Sequence, residues 1–281
     1  MEPQDLVRGT VKLVSLPEVF IKVNSMVDDP ACSASDIGKY ISQDPALSAR
    51  LLKIANSPLY GFPSRIDTVS RSITVIGTRG LRDLILASST IDAFSKISSD
   101  FIDMNKFWSH SLYCGVLARI LATKCNALHT EPFFVSGLLH DIGKLIIQHK
   151  LPEMAREVHI REDDSNLARH ELEDEVIGFN HARVGGELLR AWKLPVNIQD
   201  AVEFHHAPSM AKESPLGAAV IHLADSITKS EGYAVSSTRN NHVDPIAWAI
   251  TGLDQDSIEE VLDEAEIQYQ ISLELFLKKA A

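Results

Sequence analysis

The feature that most constrains this chain is the spacing of its apolar residues, which returns at helical intervals almost from end to end. Side chains three and four apart share one face of a helix. That period runs through Val19–Val27, Val69–Ala87, Phe107–Leu121, Phe134–Ile147, Val184–Trp192, Ile198–His205, Ala219–Ile227 and Ser257–Phe276. Asp44-Pro45 adds a start signal, a capping carboxylate before a proline at the first helical position, with Leu47, Leu51, Ile54 and Ala55 following on one face. Alternating strands with paired turn signals are absent, so the expected class is all-α. Breaks are expected at 28–35, 56–68, 92–104, 161–166 and 230–245, the last as a mobile polar loop. The break near 93 suggests an N-terminal helical subdomain, 1–92, and a C-terminal one, 93–281, which holds nearly all the histidines.

At 281 residues the chain has enough length to bury a real core. A net charge of -11 argues against nucleic-acid binding, which needs clustered Lys and Arg. No apolar run is long enough to span a bilayer, and the N-terminus has no signal-peptide pattern. Cys32, Cys114 and Cys125 form no CxxC and are read as buried small hydrophobes in a reducing compartment. The expected location is the cytoplasm, with no membrane partner.

Chemistry concentrates where ionisable residues fall on apolar stripes. His110 shares a face with Phe107, Cys114, Leu117 and Leu121, and Asp141 shares one with Phe134, Leu138 and Leu145. On a continuous helix His140 lies about 100° from Asp141, with Lys144 one turn beyond it. His181 opens the stripe Val184, Leu188, Trp192; His205, beside His206, closes the stripe Ile198, Val202; Asp225 follows Ile221 by one turn. A single inward histidine is usually a hydrogen-bonded core residue, and a single inward aspartate can be a cap or a salt-bridge partner, with Lys144 or Arg183 available. The combination points elsewhere, because neutral imidazole with carboxylate suits Fe, Mn, Ni or Zn. In the N-terminal part, Asp44-Pro45 and Asn56-Ser57-Pro58 read as helix start and stop chemistry. Tyr60 and Phe62 read as core anchors or a partner-binding edge; Arg79 and Arg82 read as a solvated face, a salt-bridge set or an anion clamp.

The ordered series His110, LLHDIGK with His140-Asp141, NHARVGGELL with His181, FHH with His205-His206 and IHLAD with Asp225 resembles the ligand series of the HD superfamily. The segments SLPEVFIKVNSMV, ISQDPALSARLLKIANSPLYG and ITVIGTRGLRDLILA are similar to the opening of HDOD proteins. The likeness runs over about residues 16–225. It implies an HD-like helical bundle and two divalent ions, Fe or Mn before Ni, Zn or Mg. One ion would take His110, His140, Asp141 and Asp225. The other would take His181, His205 and His206, with Asp141 bridging and Lys144 near a phosphate. Two departures matter. Cyclic di-GMP-hydrolysing relatives carry a GYP segment after the His-His pair, where this chain has Ala207-Pro208-Ser209-Met210; and Lys106 stands where members with three metals have a glutamate.

The resemblance implies a bacterial signalling or regulatory module acting through a protein partner or a small nucleotide or phosphate ligand. The alternative it implies is a metal-dependent phosphohydrolase or phosphodiesterase, in which Asp141 and Lys144 would be catalytic.

Overall fold

A computed structural model describes residues 1–10, 16, 18–57, 60, 64–94, 101–235 and 243–277. Phe62 lies outside them, as does the stretch 236–242 of the expected polar loop. Among the described residues there is no strand, and the chain is all-α as the periodicity requires. None of the described helices is long and apolar enough to cross a membrane.

The helices in chain order are α1 (Pro3–Thr10), α2 (Glu18–Val27), α3 (Ala34–Ile41), α4 (Pro45–Ala55), α5 (Val69–Phe94), α6 (Met104–Lys124) and α7 (Glu131–Leu139). There follow α8 (Ile142–Lys150), α9 (Pro152–Asp164), α10 (Arg169–Ile177), α11 (His181–Ala191), α12 (Val196–Glu203), α13 (Pro215–Thr228), α14 (Pro245–Thr251) and α15 (Gln255–Phe276). Among the described residues, one 3-10 turn, Pro208–Met210, and one π-helical turn, Lys229–Tyr233, complete the helical segments. The periodicity missed the shorter or more polar α1, α3, α9, α10 and α14.

The chain divides into two compact units, one of Met1–Val14 with Ser95–Ala265, the other of Ser15–Phe94 with Glu266–Ala281. In the second unit, α2, α3 and α4 pack on α5. Asp44 caps α4 by accepting from the Leu47 N–H at 3.0 Å, and Ser33 and Asp36 form a capping box on α3. The continuous helix read for Val69–Ala87 is interrupted at Gly77, whose φ of 84° and ψ of 158° suit glycine and no other residue. Arg82 is buried and pairs with Asp83 at 2.9 Å, which selects the salt-bridge reading for it; Arg79 is exposed. Tyr60 is half-buried.

In the first unit, α6, α7, α8, α11, α12 and α13 pack around a common core. Two glycine contacts set how closely they approach. Gly115 on α6 faces Gly137 on α7: a Cβ on Gly137 would stand 2.7 Å from the Gly115 Cα. A Cβ on Gly143 of α8 would stand 2.0 Å from the backbone oxygen of His181, at the start of α11. These are backbone atoms, which cannot swing aside. Cys114 is buried in this core, whereas Cys32 and Cys125 are half-buried, so the uniform buried reading of the cysteines holds for one of three; all three are free thiols.

The expected continuous helix Phe134–Ile147 is in fact two. It breaks at His140-Asp141, where Asp141 takes φ -94° and ψ 1° before α8 begins. No Gly or Pro marks the break, since residue 141 has only to leave the helical well by some tens of degrees in ψ. The close seat of Gly143 against α11 holds the new direction. Leu138 is fully packed, so Leu138→Ala should lower stability by about 2–5 kcal/mol through a cavity. Gly143→Ala should lower it by about 1–3 kcal/mol through overpacking. Chemical denaturation of the metal-free protein measures both.

Candidate metal centre

All seven residues read as candidate ligands converge in the first unit. His110 comes from the middle of α6, His140 and Asp141 from the α7–α8 junction, and His181 from the first position of α11. His205 and His206 lie in the turn after α12, and Asp225 lies near the end of α13. The break at 140–141 corrects the 100° divergence expected of a continuous helix: His140 Nε2 and Asp141 Oδ2 face the same point, 3.4 Å apart. His205 likewise sits beyond the helix that was expected to carry it, because α12 stops at Glu203. Asp200 holds the following chain back against α12, accepting from the Glu213 and Ser214 N–H groups at 2.9 and 2.7 Å.

Around one point stand His110 Nε2, His140 Nε2 and Asp225 Oδ1, with Asp141 Oδ2 beside the two histidines and grouped with His140 and His205. His110 Nε2 is 3.3 Å from His140 Nε2, 3.5 Å from Asp141 Oδ2 and 3.2 Å from Asp225 Oδ1, and His140 Nε2 is 3.5 Å from Asp225 Oδ1. Donor atoms each about 2.1 Å from one ion stand roughly 3.0–3.4 Å apart in octahedral or tetrahedral arrangements. The other Asp141 oxygen, Oδ1, lies 3.2 Å from His181 Nε2, which lies 2.9 Å from His206 Nε2. His181, His205 and His206 hold their ring nitrogens within 4.8 Å of one another. Asp141 therefore offers one oxygen to each group. All seven residues are buried except His206, which is half-buried.

The outer ring nitrogens explain why the inner ones point inward. His140 Nδ1 donates to the Gly137 carbonyl at 2.7 Å and His205 Nδ1 to the Val202 carbonyl at 2.7 Å, each three residues back at the end of its helix. Helix C-termini leave such carbonyls unpaired, so the break that places the histidine also supplies its acceptor. His110 Nδ1 donates to the Tyr233 carbonyl at 3.0 Å in the π-helical turn. With the proton on Nδ1, each Nε2 presents a lone pair.

That arrangement leaves polar atoms stranded. His205 Nε2 and Asp225 Oδ1 have no hydrogen-bond partner among the described residues. His110 Nε2 is near Asp225 Oδ1 but brings a lone pair, not an N–H. Buried lone pairs facing one another are costly until a cation lies among them. Imidazole and carboxylate are also donors that divalent metal ions accept, so the residues fit a metal site.

The electrostatics agree for His110, His205 and His206 and favour the charged ring for His140. Burial lowers His205, reinforced by the charges of His140 and His181, and lowers His206, reinforced by His205 and His170; burial likewise lowers His110. All three are thereby kept as neutral donors. Burial opposes charge on Asp141 and Asp225, but His140 and Lys144 hold the first well below the usual carboxylate range, and Lys229 and His110 the second. His140 is raised well above its ordinary value, burial being outweighed by Asp141. The Lys144 ammonium lies 2.6 Å from Asp141 Oδ2 and that of Lys229 2.6 Å from Asp225 Oδ2. Of the two salt-bridge partners considered for Asp141, Lys144 is the one in place.

Sequence reasoning missed Glu173, Lys229 and His170. Glu173 is buried behind His181 and is held down to about 2: burial would raise it, but His181 and Arg169 outweigh that. The His170 ring stacks on His206, centroids 4.0 Å apart at 11°, and burial lowers it to about 4. Lys229 lies one helical turn after Asp225, a spacing that could have flagged it. Glu173 and His170 sit on α10, whose polar sequence gave no face to read. His222, inside the same IHLAD segment as Asp225, is structural: its Nδ1 donates to the His205 carbonyl at 2.7 Å and its Nε2 accepts from the Asp244 N–H at 2.9 Å.

A buried cluster of this composition on this arrangement of helices defines an all-helical protein with a candidate metal centre. The HDOD domain model matches residues 13–208, and the chain belongs to the HDOD family. An uncharacterised protein of Treponema pallidum (strain Nichols) is 29% identical over 193 residues, 68% of this chain and 37% of that relative, so the chain spans little more than a third of its length. Two crystal structures share the fold. An HDOD domain protein of unknown function from Geobacter sulfurreducens has a TM-score of 0.76 at 23% identity over 98% of both chains. A Shewanella amazonensis SB2B protein, named as a candidate phosphohydrolase, has a TM-score of 0.75 at 23% identity over 96% of this chain and 98% of that one.

Asp141 is paired with a buried ammonium, so removing it strands a charge. Asp141→Ala should destabilise the metal-free protein by about 3 kcal/mol, and adding Lys144→Met should restore most of that loss. A denaturant double-mutant cycle measures the coupling. Additive effects would mean that the ion pair contributes nothing to stability.

Proposed function

We propose that this chain is a bacterial, cytoplasmic signalling module whose HD-type centre holds two divalent ions, Fe or Mn, and which acts through a protein partner or a small phosphate-bearing ligand. The observation that carries the reading is the enclosure of the centre. Every donor residue but His206 is buried, and the ions would sit inside the helical core. One ion would be held by His110, His140, Asp141 and Asp225, the other by His181, His205 and His206, with Asp141 shared. Such ions would link three helices and two turns, so occupancy is a property that a partner can sense. Three free cysteines are in keeping with a reducing compartment.

A second reading is favoured by one specific feature, the complete donor set with Lys144 at its edge. Paired ions lower the pKa of bound water and stabilise charge at phosphorus. In that reading the Lys144 ammonium holds a phosphate oxygen and Asp141 fixes the ions, and the chain is a phosphohydrolase for a small phosphoester. Cyclic di-GMP is a poor fit. Catalysis needs the phosphate held in line with its nucleophile, and Ala207-Pro208-Ser209-Met210 contributes a 3-10 turn where active relatives carry the GYP segment.

Anaerobically loaded protein should hold two ions per chain by elemental analysis, and Asp141→Ala should lose them. Chromatography after incubation with cyclic di-GMP should show no linear dinucleotide or GMP. Multiple-turnover release that Asp141→Ala abolishes would reverse the order of the two readings. In a wider phosphoester screen, any turnover found should fall in Lys144→Ala while metal content stays unchanged.

A further inference from the structure

Of the five candidate ligand histidines, three rest their outer nitrogens on neutral carbonyls, and His181 rests its own on a carboxylate. His181 Nδ1 donates to Glu173 Oε2 at 2.5 Å, and the same oxygen accepts the His181 backbone N–H at 2.8 Å. One carboxylate oxygen therefore determines both where α11 begins and where its first side chain points. Glu173 is itself buried, and its other oxygen accepts from Arg169 Nε at 3.2 Å. Arg169 Nη1 in turn donates to Glu162 on α9 at 2.8 Å.

We infer that Glu173 is the positioning residue for His181, and that through Arg169 and Glu162 it ties the α9–α10 pair to the ion held by His181, His205 and His206. The inference rests on the two-ion reading above and assigns a role that reading leaves open.

Charge is the reason. The first ion has Asp225 and a share of Asp141. The second has three neutral imidazoles and the remaining share of Asp141, whose Oδ2 is already drawn to Lys144. A carboxylate behind an imidazole strengthens the ligand and locks its tautomer, so Glu173 supplies from one residue away the negative charge that the second site lacks. A buried carboxylate is costly without opposite charge nearby, and a cation at His181 Nε2 would lie directly across the ring from Glu173. The link also runs outward. Glu162 and Arg169 belong to different helices, and Arg161 on α9 pairs with Glu175 on α10 at 2.6 Å. The site is thereby connected to a helical pair that reaches the surface.

The test is a Mn2+ titration of the full chain, counting free ion by electron paramagnetic resonance, with hydrogen exchange followed at each equivalent. Glu173→Gln keeps the shape and an acceptor oxygen but removes the charge. It should bind the first ion as the wild type does and the second about 10–100-fold more weakly. In the wild type the second equivalent, not the first, should protect the amides of 152–177, and that protection should be missing in Glu173→Gln. Unchanged second-ion affinity in Glu173→Gln, or equal weakening of both ions, overturns the inference and leaves the two-ion reading intact. Fewer than two ions in the wild type overturns both. Should the variant fail to fold, the wild type decides alone: no protection of 152–177 at the second equivalent overturns the link.

Discussion

A buried imidazole can serve as a donor only when its outer nitrogen is satisfied by something that does not move, and the first unit is organised around that requirement. The carbonyls of Gly137 and Val202 are the loose ends of α7 and α12, and His140 and His205 use them. Tyr233 provides a third carbonyl and Glu173 a carboxylate. Helix termini also carry partial negative charge at their carbonyl ends. The ends of α7 and α12 thus bring a favourable field to the place where cations would lie. Helix termination, tautomer choice and the electrostatics of the centre are one arrangement.

Close packing allows these ends to meet. Without Gly115 and Gly137, α6 and α7 could not approach within backbone contact, and His110 could not stand 3.3 Å from His140. Without Gly143, α8 would be held off the start of α11, and Asp141 would lose its 3.2 Å contact with His181. The core around them, including Phe107, Leu117, Leu138 and Val184, is fully buried, so displacing one of these helices disturbs several others.

In the metal-free state the two aspartates are matched by Lys144 and Lys229, which leaves the centre near electrical balance. A divalent ion bound there would add positive charge among buried side chains. Negative charge has to come from nearby residues or from an anionic ligand, and either links occupancy to something outside the seven donors. On the proposed reading, this is how the polar neighbours of the candidate ligands would tie occupancy to a sensing role.

Much of this was legible in the sequence. The helical period predicts the all-α class, since alternating strands leave a different pattern. Histidine and aspartate on otherwise apolar stripes mark His110, Asp141, His181, His205 and Asp225 as a combination, though not one by one, and the motif series adds His140 and His206. What the sequence concealed follows from the short range of its signals. The break at 140–141 requires a change of ψ at one residue without Gly or Pro, and it is maintained by Gly143 lying against a helix some forty residues away. Glu173 and Lys229 look like ordinary surface charges until α10 and α13 are folded against the cluster. Periodicity reports which face a residue occupies; only tertiary packing decides which faces meet, because the energy that selects the meeting comes from contacts distant in the chain.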